Sequence, residues 1–173
     1  DTYITYSNKS SPLNFLLFMA TATAPFDIHG VFEGILASLA DKERTVITRR
    51  IGLSGNRETL QEIGDTYGIT RVRVRQIEDV GIKKIGRIMR SSPLMRIQES
   101  GEAILKMHGG VMTRDRLISA IIADLGFTDT VNENIVDVLL QADFNLQRSK
   151  PQLGTRTYYH FPEIQKKQIE AIH

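Results

Sequence analysis

The sequence predicts a mainly α chain: a four-helix unit built around a helix-turn-helix, then a small winged-helix unit of three helices and a β-hairpin. Two observations predict it. Residues 59–90, TLQEIGDTYGITRVRVRQIEDVGIKKIGRIMR, order their apolar and small positions as two short helices crossing over a tight turn. After Ser91, Ser92 and Pro93, three amphipathic segments precede two alternating stretches, NLQR and TRTYYHF, which read as a hairpin. The chain divides accordingly into residues 1–29, a linker or docking segment; 30–90, the helix-turn-helix unit; 91–163, the winged unit; and 164–173, a tail.

Residues 1–12 are polar and lack helical periodicity. NFLLFMATATAP follows, with an apolar run from Phe15 to Ala20 and a small-residue spacing at Ala22 and Ala24. Lys9 is its only nearby cation and the run is too short to cross a bilayer, so docking of Phe15 to Phe18 is favoured over export. Val31, Phe32, Ile35, Leu36 and Leu39 then form a helical stripe, and Asp41 is placed to cap a second helix that buries Val46, Ile47 and Ile51. These two helices make a platform for the motif.

Thr59 and Glu62 have the spacing of a capping box. Gly64 falls where two helices would come closest, Gly68 supplies a positive φ at the stop, and Thr70 caps the next helix. That helix buries Val74, Ile77, Gly81, Ile85 and Ile88, and its opposite stripe carries Arg71, Val72, Arg73, Arg75, Gln76 and Asp79. Residues 71–90 hold seven basic and two acidic side chains, net +5 on a chain whose total is +2, so the basic charge is local. Arginine bonds guanine O6 and N7 in pairs and glutamine does the same with adenine N6 and N7, which suits this face to the major groove. Gly81 and Gly86 inside the helix, each costing about 1 kcal/mol relative to alanine, point to close packing against a partner or to fraying before residue 90.

The segment ERTVITRRIGLSGNRETLQEIGDTYGITRVRVRQIEDVGIKKIGRIMR resembles region 4, the C-terminal promoter-reading part of primary-type bacterial sigma factors. The resemblance covers about residues 31–90 and is most specific in TLQEIG, in the Gly-Ile-Thr turn and in RVRQIE. It implies that the second helix of the motif enters the major groove of the −35 promoter element. Arg71, Val72, Arg73, Arg75 and Gln76 then face bases, and Arg49, Arg50, Thr59, Leu60, Thr70, Lys83 and Lys84 lie along the DNA backbone. The family usually has an acid where this chain has Val72, so a cytosine contact gives way to apolar contact with a thymine methyl. The resemblance further implies that the platform grips the flap of the polymerase β subunit, with Phe32, Leu36 and Leu39 as interface candidates wherever they are exposed.

Residues 91–173 carry nine basic and ten acidic side chains, a change of sign that marks a second unit. Its first helix places Met95, Ile104, Leu105 and Met107 on the apolar side and ends at Gly109 and Gly110. Thr113 caps the second, which buries Leu117, Ile118, Ile121, Ile122 and Leu125, and the third buries Ile135, Val138, Leu139 and Phe144. This unit resembles the winged helix of the delta subunit of some bacterial RNA polymerases, the HARE type, on helix order, the Val-Met-Thr lead and the late Gly-Thr-Arg-Thr-Tyr-Tyr strand. Asp129, Glu133, Asp137 and Asp143 on or beside its third helix would repel phosphate. It therefore reads as a protein-binding or positioning module, with non-specific DNA contact through Lys150 and Arg156 as the lesser option.

No catalytic constellation is assembled. His29, His108, His160 and His173 are dispersed without metal-ligand spacing, and there is no GxSxG elbow or glycine-rich phosphate loop. The absence of cysteine excludes disulfides and thiolate metal sites and suits a reducing compartment. The reading is thus of a non-enzyme without metal or cofactor, cytoplasmic and nucleoid-associated, with no membrane partner. Its partners are promoter double-stranded DNA and RNA polymerase core, together with further domains of the same sigma factor or a split sigma partner. The chain has few clustered aromatics with which to melt DNA, and its opening on Asp1 fits a fragment of something longer. The alternative is a polymerase-binding scaffold or regulator that touches DNA only non-specifically.

Overall fold

The computed structural model describes residues 27–127, 131–150, 154 and 156–164. The docking role expected for Phe15 to Phe18, the place of Asp129 and the fate of the tail lie outside these residues. Helix α1 (Ile28–Ala37) starts at Asp27, whose carboxylate accepts from the Gly30 amide at 3.0 Å. Helix α2 (Asp41–Ile51) starts at Ala40, so Asp41 is the first helical residue rather than the cap, and it pairs with Arg44 instead. Helices α3 (Leu60–Tyr67) and α4 (Arg71–Met89) form the helix-turn-helix. The winged unit follows as α5 (Met95–Met107), β1 (Val111–Thr113), α6 (Arg114–Asp124), α7 (Glu133–Gln141), β2 (Gln147–Arg148) and β3 (Tyr158–His160).

Both hairpin strands fall where alternation predicted them, antiparallel with Arg148 opposite Tyr159. The sheet also recruits β1, giving the order β1-β3-β2 with Met112 opposite Tyr159. Tyr159 is fully buried at the centre of this sheet, and its hydroxyl donates to the Asp137 carboxylate at 2.6 Å. Three helices interleaved with three strands in this order are a winged helix.

The chain does turn at Ser91-Ser92-Pro93, but that turn does not separate two cores. One hydrophobic cluster runs from Phe32 and Leu36 through Ile85, Met89 and Leu94 to Leu139 and Tyr159. A second, small cluster of Val46, Ile63 and Val74 lies under the helix-turn-helix. The reason is the length of α4: its 19 residues span about 28 Å at 1.5 Å per residue. Val74, in its first turns, serves the small cluster, while Ile85 and Met89 at its other end serve the large one.

Gly86 makes this junction possible, because a Cβ there would run into the backbone carbonyl of Ala142 just past α7. The two helix-interior glycines therefore mark close packing rather than fraying. Helix α7 is enclosed on all sides from Ile135 to Leu140. Asp137 and Asp143 are buried with it, so the expected acidic face of the third helix is partly interior. Asp137 is held by Arg114 and Arg148, each at 3.3 Å. Phe144 lies beyond the end of α7 and is exposed, with the Arg90 guanidinium 4.9 Å from its ring centroid. Met107 is likewise exposed in the last turn of α5, while Leu105 is buried as expected, together with Ile97 and with Leu94 at the start of the helix.

Candidate nucleic-acid interface

The motif is set by its caps. Thr59 Oγ1 accepts from the Glu62 amide at 3.2 Å, and the Glu62 carboxylate accepts from the Thr59 amide at 2.6 Å. Those bonds, led by the backbone one, hold the Glu62 pKa below the ordinary carboxylate value. Gly68 ends α3 in the left-handed region at φ 62°, a conformation that costs glycine least. A Cβ at Gly64 would stand 2.6 Å from the Ile69 carbonyl oxygen, so only glycine permits the turn to close this tightly. Thr70 Oγ1 then accepts from the Arg73 amide at 3.2 Å and opens α4. At Gly81 a Cβ would meet Ile47 Cδ1 at 2.6 Å, which fixes how closely α4 lies on α2.

These constraints leave Arg71, Val72, Arg73, Arg75 and Gln76 exposed on the first turns of α4, around the buried Val74. Val72 is 65% exposed, an apolar side chain offered outward between two arginines. Arg73 Nη1 donates to Gln76 Oε1 at 3.1 Å, which preorganises the pair; the carbonyl oxygen keeps a second lone pair for a base. Among the described residues Arg71 and Arg75 form no ion pair. Thr59 and Thr70 are exposed at their helix ends, Leu60 is half-buried against the small core, and Lys83 is exposed further along α4.

Three of the expected backbone contacts are engaged inside the protein. Arg49 makes a forked bond to Glu58, donates to Thr66 Oγ1 at 3.1 Å and lies over the Tyr67 ring. The Glu58 hydrogen bond is the main cause that raises its pKa above the ordinary arginine value. Arg50 donates to Glu78 at 2.9 Å and to the Glu58 carbonyl at 2.7 Å, linking α2 to the loop before α3 and to α4. Lys84 Nζ reaches both oxygens of Glu43, at 2.8 and 2.9 Å. These ion pairs tie α2 to the loop before α3 and to α4, and so brace the motif.

The interface candidates expected on the platform, if exposed, are corrected by their burial. Phe32, Leu36 and Leu39 are all buried, since α1 turns its whole stripe onto α4 and the large core. The apolar surface that does stand open is elsewhere. Tyr67 and Val80 are about half exposed on the rim of a groove of about 650 Å³, with Val46, Ile69 and Ile77 at its base. Arg57 was not anticipated as a site residue either. It donates to the Arg50 carbonyl and to Asn134 Oδ1, both at 3.1 Å, and so reaches from the loop before α3 to the winged unit. The signal for it was weak, a single arginine two residues before a cap.

Among the described residues no group of His, Asp and Glu could hold a metal ion, and no helix is long and apolar enough to cross a membrane.

Comparison with known proteins places the motif. Residues 35–86 match the family "Sigma-70, region 4". The chain is 38% identical over 81 residues to RNA polymerase sigma factor SigA of Listeria monocytogenes, covering 42% of this chain and 21% of that protein. It is 43% identical over 63 residues to sigma factor SigA1 of Synechococcus elongatus, covering 36% of this chain and 16% of that protein. The match therefore spans about a fifth or less of the length of these relatives. No solved structure matches the chain.

Proposed function

We propose that this chain, whose residues 35–86 match sigma-70 region 4, reads promoter DNA in the major groove through the first turns of α4. Region 4 is a DNA-binding unit of transcription factors and not a catalytic family, and a sigma-like DNA-binding role follows from it. The finer reading rests on one observation: Arg71, Val72, Arg73, Arg75 and Gln76 stand exposed on a helix whose start is fixed by two threonine caps. Arg71 and Arg75 keep free guanidiniums for guanine, Gln76 has an amide suited to adenine, and Val72 suits a thymine methyl. Thr59, Leu60, Thr70 and Lys83 remain as backbone contacts that fix register.

Recruitment of RNA polymerase core belongs to the same proposal, supported by the sigma factors that the chain resembles. The β flap is the partner proposed, and a longer or split sigma factor supplies promoter opening. Such a role places the protein in the cytoplasm at the nucleoid. The winged unit is proposed as a positioning module, since α7, the helix that a winged helix would insert in DNA, is walled in by protein.

The test is selection of bound sites from random duplex DNA, followed by Arg75→Ala and Lys83→Ala. Arg75→Ala is expected to cost about 1–3 kcal/mol and relax selectivity at one base pair, whereas Lys83→Ala weakens all sequences alike. Equal losses for Arg75→Ala on matched and scrambled DNA would favour the scaffold alternative.

A further inference from the structure

Beside the base-reading face, a cleft of about 200 Å³ opens between α4 and the winged unit. Four guanidiniums line it from four different elements: Arg50 on α2, Arg57 before α3, Arg75 on α4 and Arg148 on β2. The carboxylates around it are largely committed. Glu78 is held by Arg50, and Asp137 is shared by Arg114, Arg148 and the Tyr159 hydroxyl. Asp79 is the remaining one, exposed on α4.

Arg57 is the informative member. Both of its hydrogen bonds go to neutral acceptors, the Arg50 carbonyl and the Asn134 side chain. Burial, and then the nearby Arg50, lower its pKa from the ordinary arginine value, with Arg114 and Arg148 acting in the same sense against Asp137. A cation so placed has an unmet attraction for an anion. Asn134 lies in the first turn of α7, where the helix dipole adds partial positive charge. The space is several times the roughly 30 Å³ share of one water, enough for a tetrahedral oxyanion. Arg75 lies one helical turn from Arg71, so the cleft adjoins the face that α4 offers to DNA.

We propose that this cleft binds a phosphate group, gripped by Arg57 from the loop before α3 and Arg148 from the wing. The phosphate is either a phosphodiester of the duplex on which α4 is docked or a free phosphate. The first source rests on the promoter-reading proposal and extends the footprint of the helix-turn-helix to the winged unit; the second does not.

Wild type, Arg57→Gln and Arg57→Lys of the full chain are titrated with matched and scrambled duplexes over a series of potassium chloride concentrations. They are also melted in inorganic phosphate and in chloride at equal ionic strength. If the source is the DNA backbone, Arg57→Gln flattens the slope of log K against log salt by about one unit, equally on both duplexes, and Arg57→Lys restores it. If the source is free phosphate, that slope is unchanged, and phosphate raises the melting temperature of wild type but not of Arg57→Gln. A folded Arg57→Gln with the wild-type slope, beside a wild type indifferent to phosphate, overturns the proposal.

Should Arg57→Gln not fold, the arginine Nε–Hε resonances of the wild type are followed as duplex or phosphate is added. Shifts of Arg57 and Arg148 support the cleft, and no movement with either probe overturns it. Failure of the promoter-reading proposal has a separate signature: wild type then binds matched and scrambled DNA equally, whatever residue 57 does.

Discussion

The Asn134 side-chain amide donates to the backbone carbonyl of Ile51 at 3.1 Å, tying the first turn of α7 to the last residue of α2. The same side chain accepts from Arg57. One asparagine thus joins the winged unit to the platform of the helix-turn-helix at the point where the large core passes from one to the other.

Removal of that link tests whether the two units fold together. Asn134→Ala leaves the Ile51 carbonyl and the Arg57 guanidinium without this partner. The expected loss is about 0.5–1.5 kcal/mol, the net worth of a typical hydrogen bond, since the link is only partly buried. Urea unfolding followed by circular dichroism should remain a single transition at a lower midpoint. Two separated transitions would mean that the shared core does not couple the units.

Gly86 and Gly34 should respond oppositely to alanine. At Gly86 the new methyl meets the Ala142 backbone, and α4 must move off the end of α7, a change expected to cost about 1–3 kcal/mol. At Gly34, in the middle of α1, a Cβ meets open space, so Gly34→Ala should stabilise by about 1 kcal/mol through helix propensity. Thermal melts of the two variants check the opposite signs.

Asp143 gives the fold a pH dependence. Burial, with Glu102 beside it, raises its carboxyl from the ordinary 3.8 to about 6, although the Asn145 amide donates to it at 2.8 Å. Folding therefore favours the protonated form. This contribution is complete below the unfolded value and is lost as pH rises through about 6. Asp143→Asn should flatten the fall in stability between pH 4 and 6 and leave the variant more stable than wild type at neutral pH. Urea midpoints across that window are the measurement; an unchanged slope would remove Asp143 as the cause.

Val72 is the place to alter the proposed promoter preference. Val72→Glu puts a carboxylate on an exposed position of α4 at no cost in packing, since the side chain touches little. Preference at one base pair should move from thymine toward cytosine, worth about 1–3 kcal/mol of discrimination. Site selection with the variant reads this directly, and an unchanged preferred sequence would place Val72 away from the bases.

Much of the local structure was legible because it depends on residues near one another in sequence. Thr59 with Glu62, Gly68 and Thr70 with the amide of Arg73 are local bonds, and their spacing is their geometry. The sequence also marked the outward face of α4, because a helix that buries Val74 and Ile85 must turn Val72 and Gln76 the other way. The β1 strand was not foreseen, since three residues are too few for alternation to be read. Nor could sequence foresee which arginines are occupied: Arg50 bonds a carboxylate 28 positions away, and Lys84 one 41 positions away.

By itself, then, the sequence determined the helices, the caps of the helix-turn-helix and the exposed basic face, for these follow from helical periodicity and hydrogen bonds within a few residues. The tertiary structure alone decided that Phe32, Leu36 and Leu39 are core and that Arg49, Arg50 and Lys84 brace the motif. It also decided that the two units share one interior through Gly86 and α7. Burial and ion pairing depend on what lies across a helix face, and the long α4 brings together partners that chain order keeps far apart.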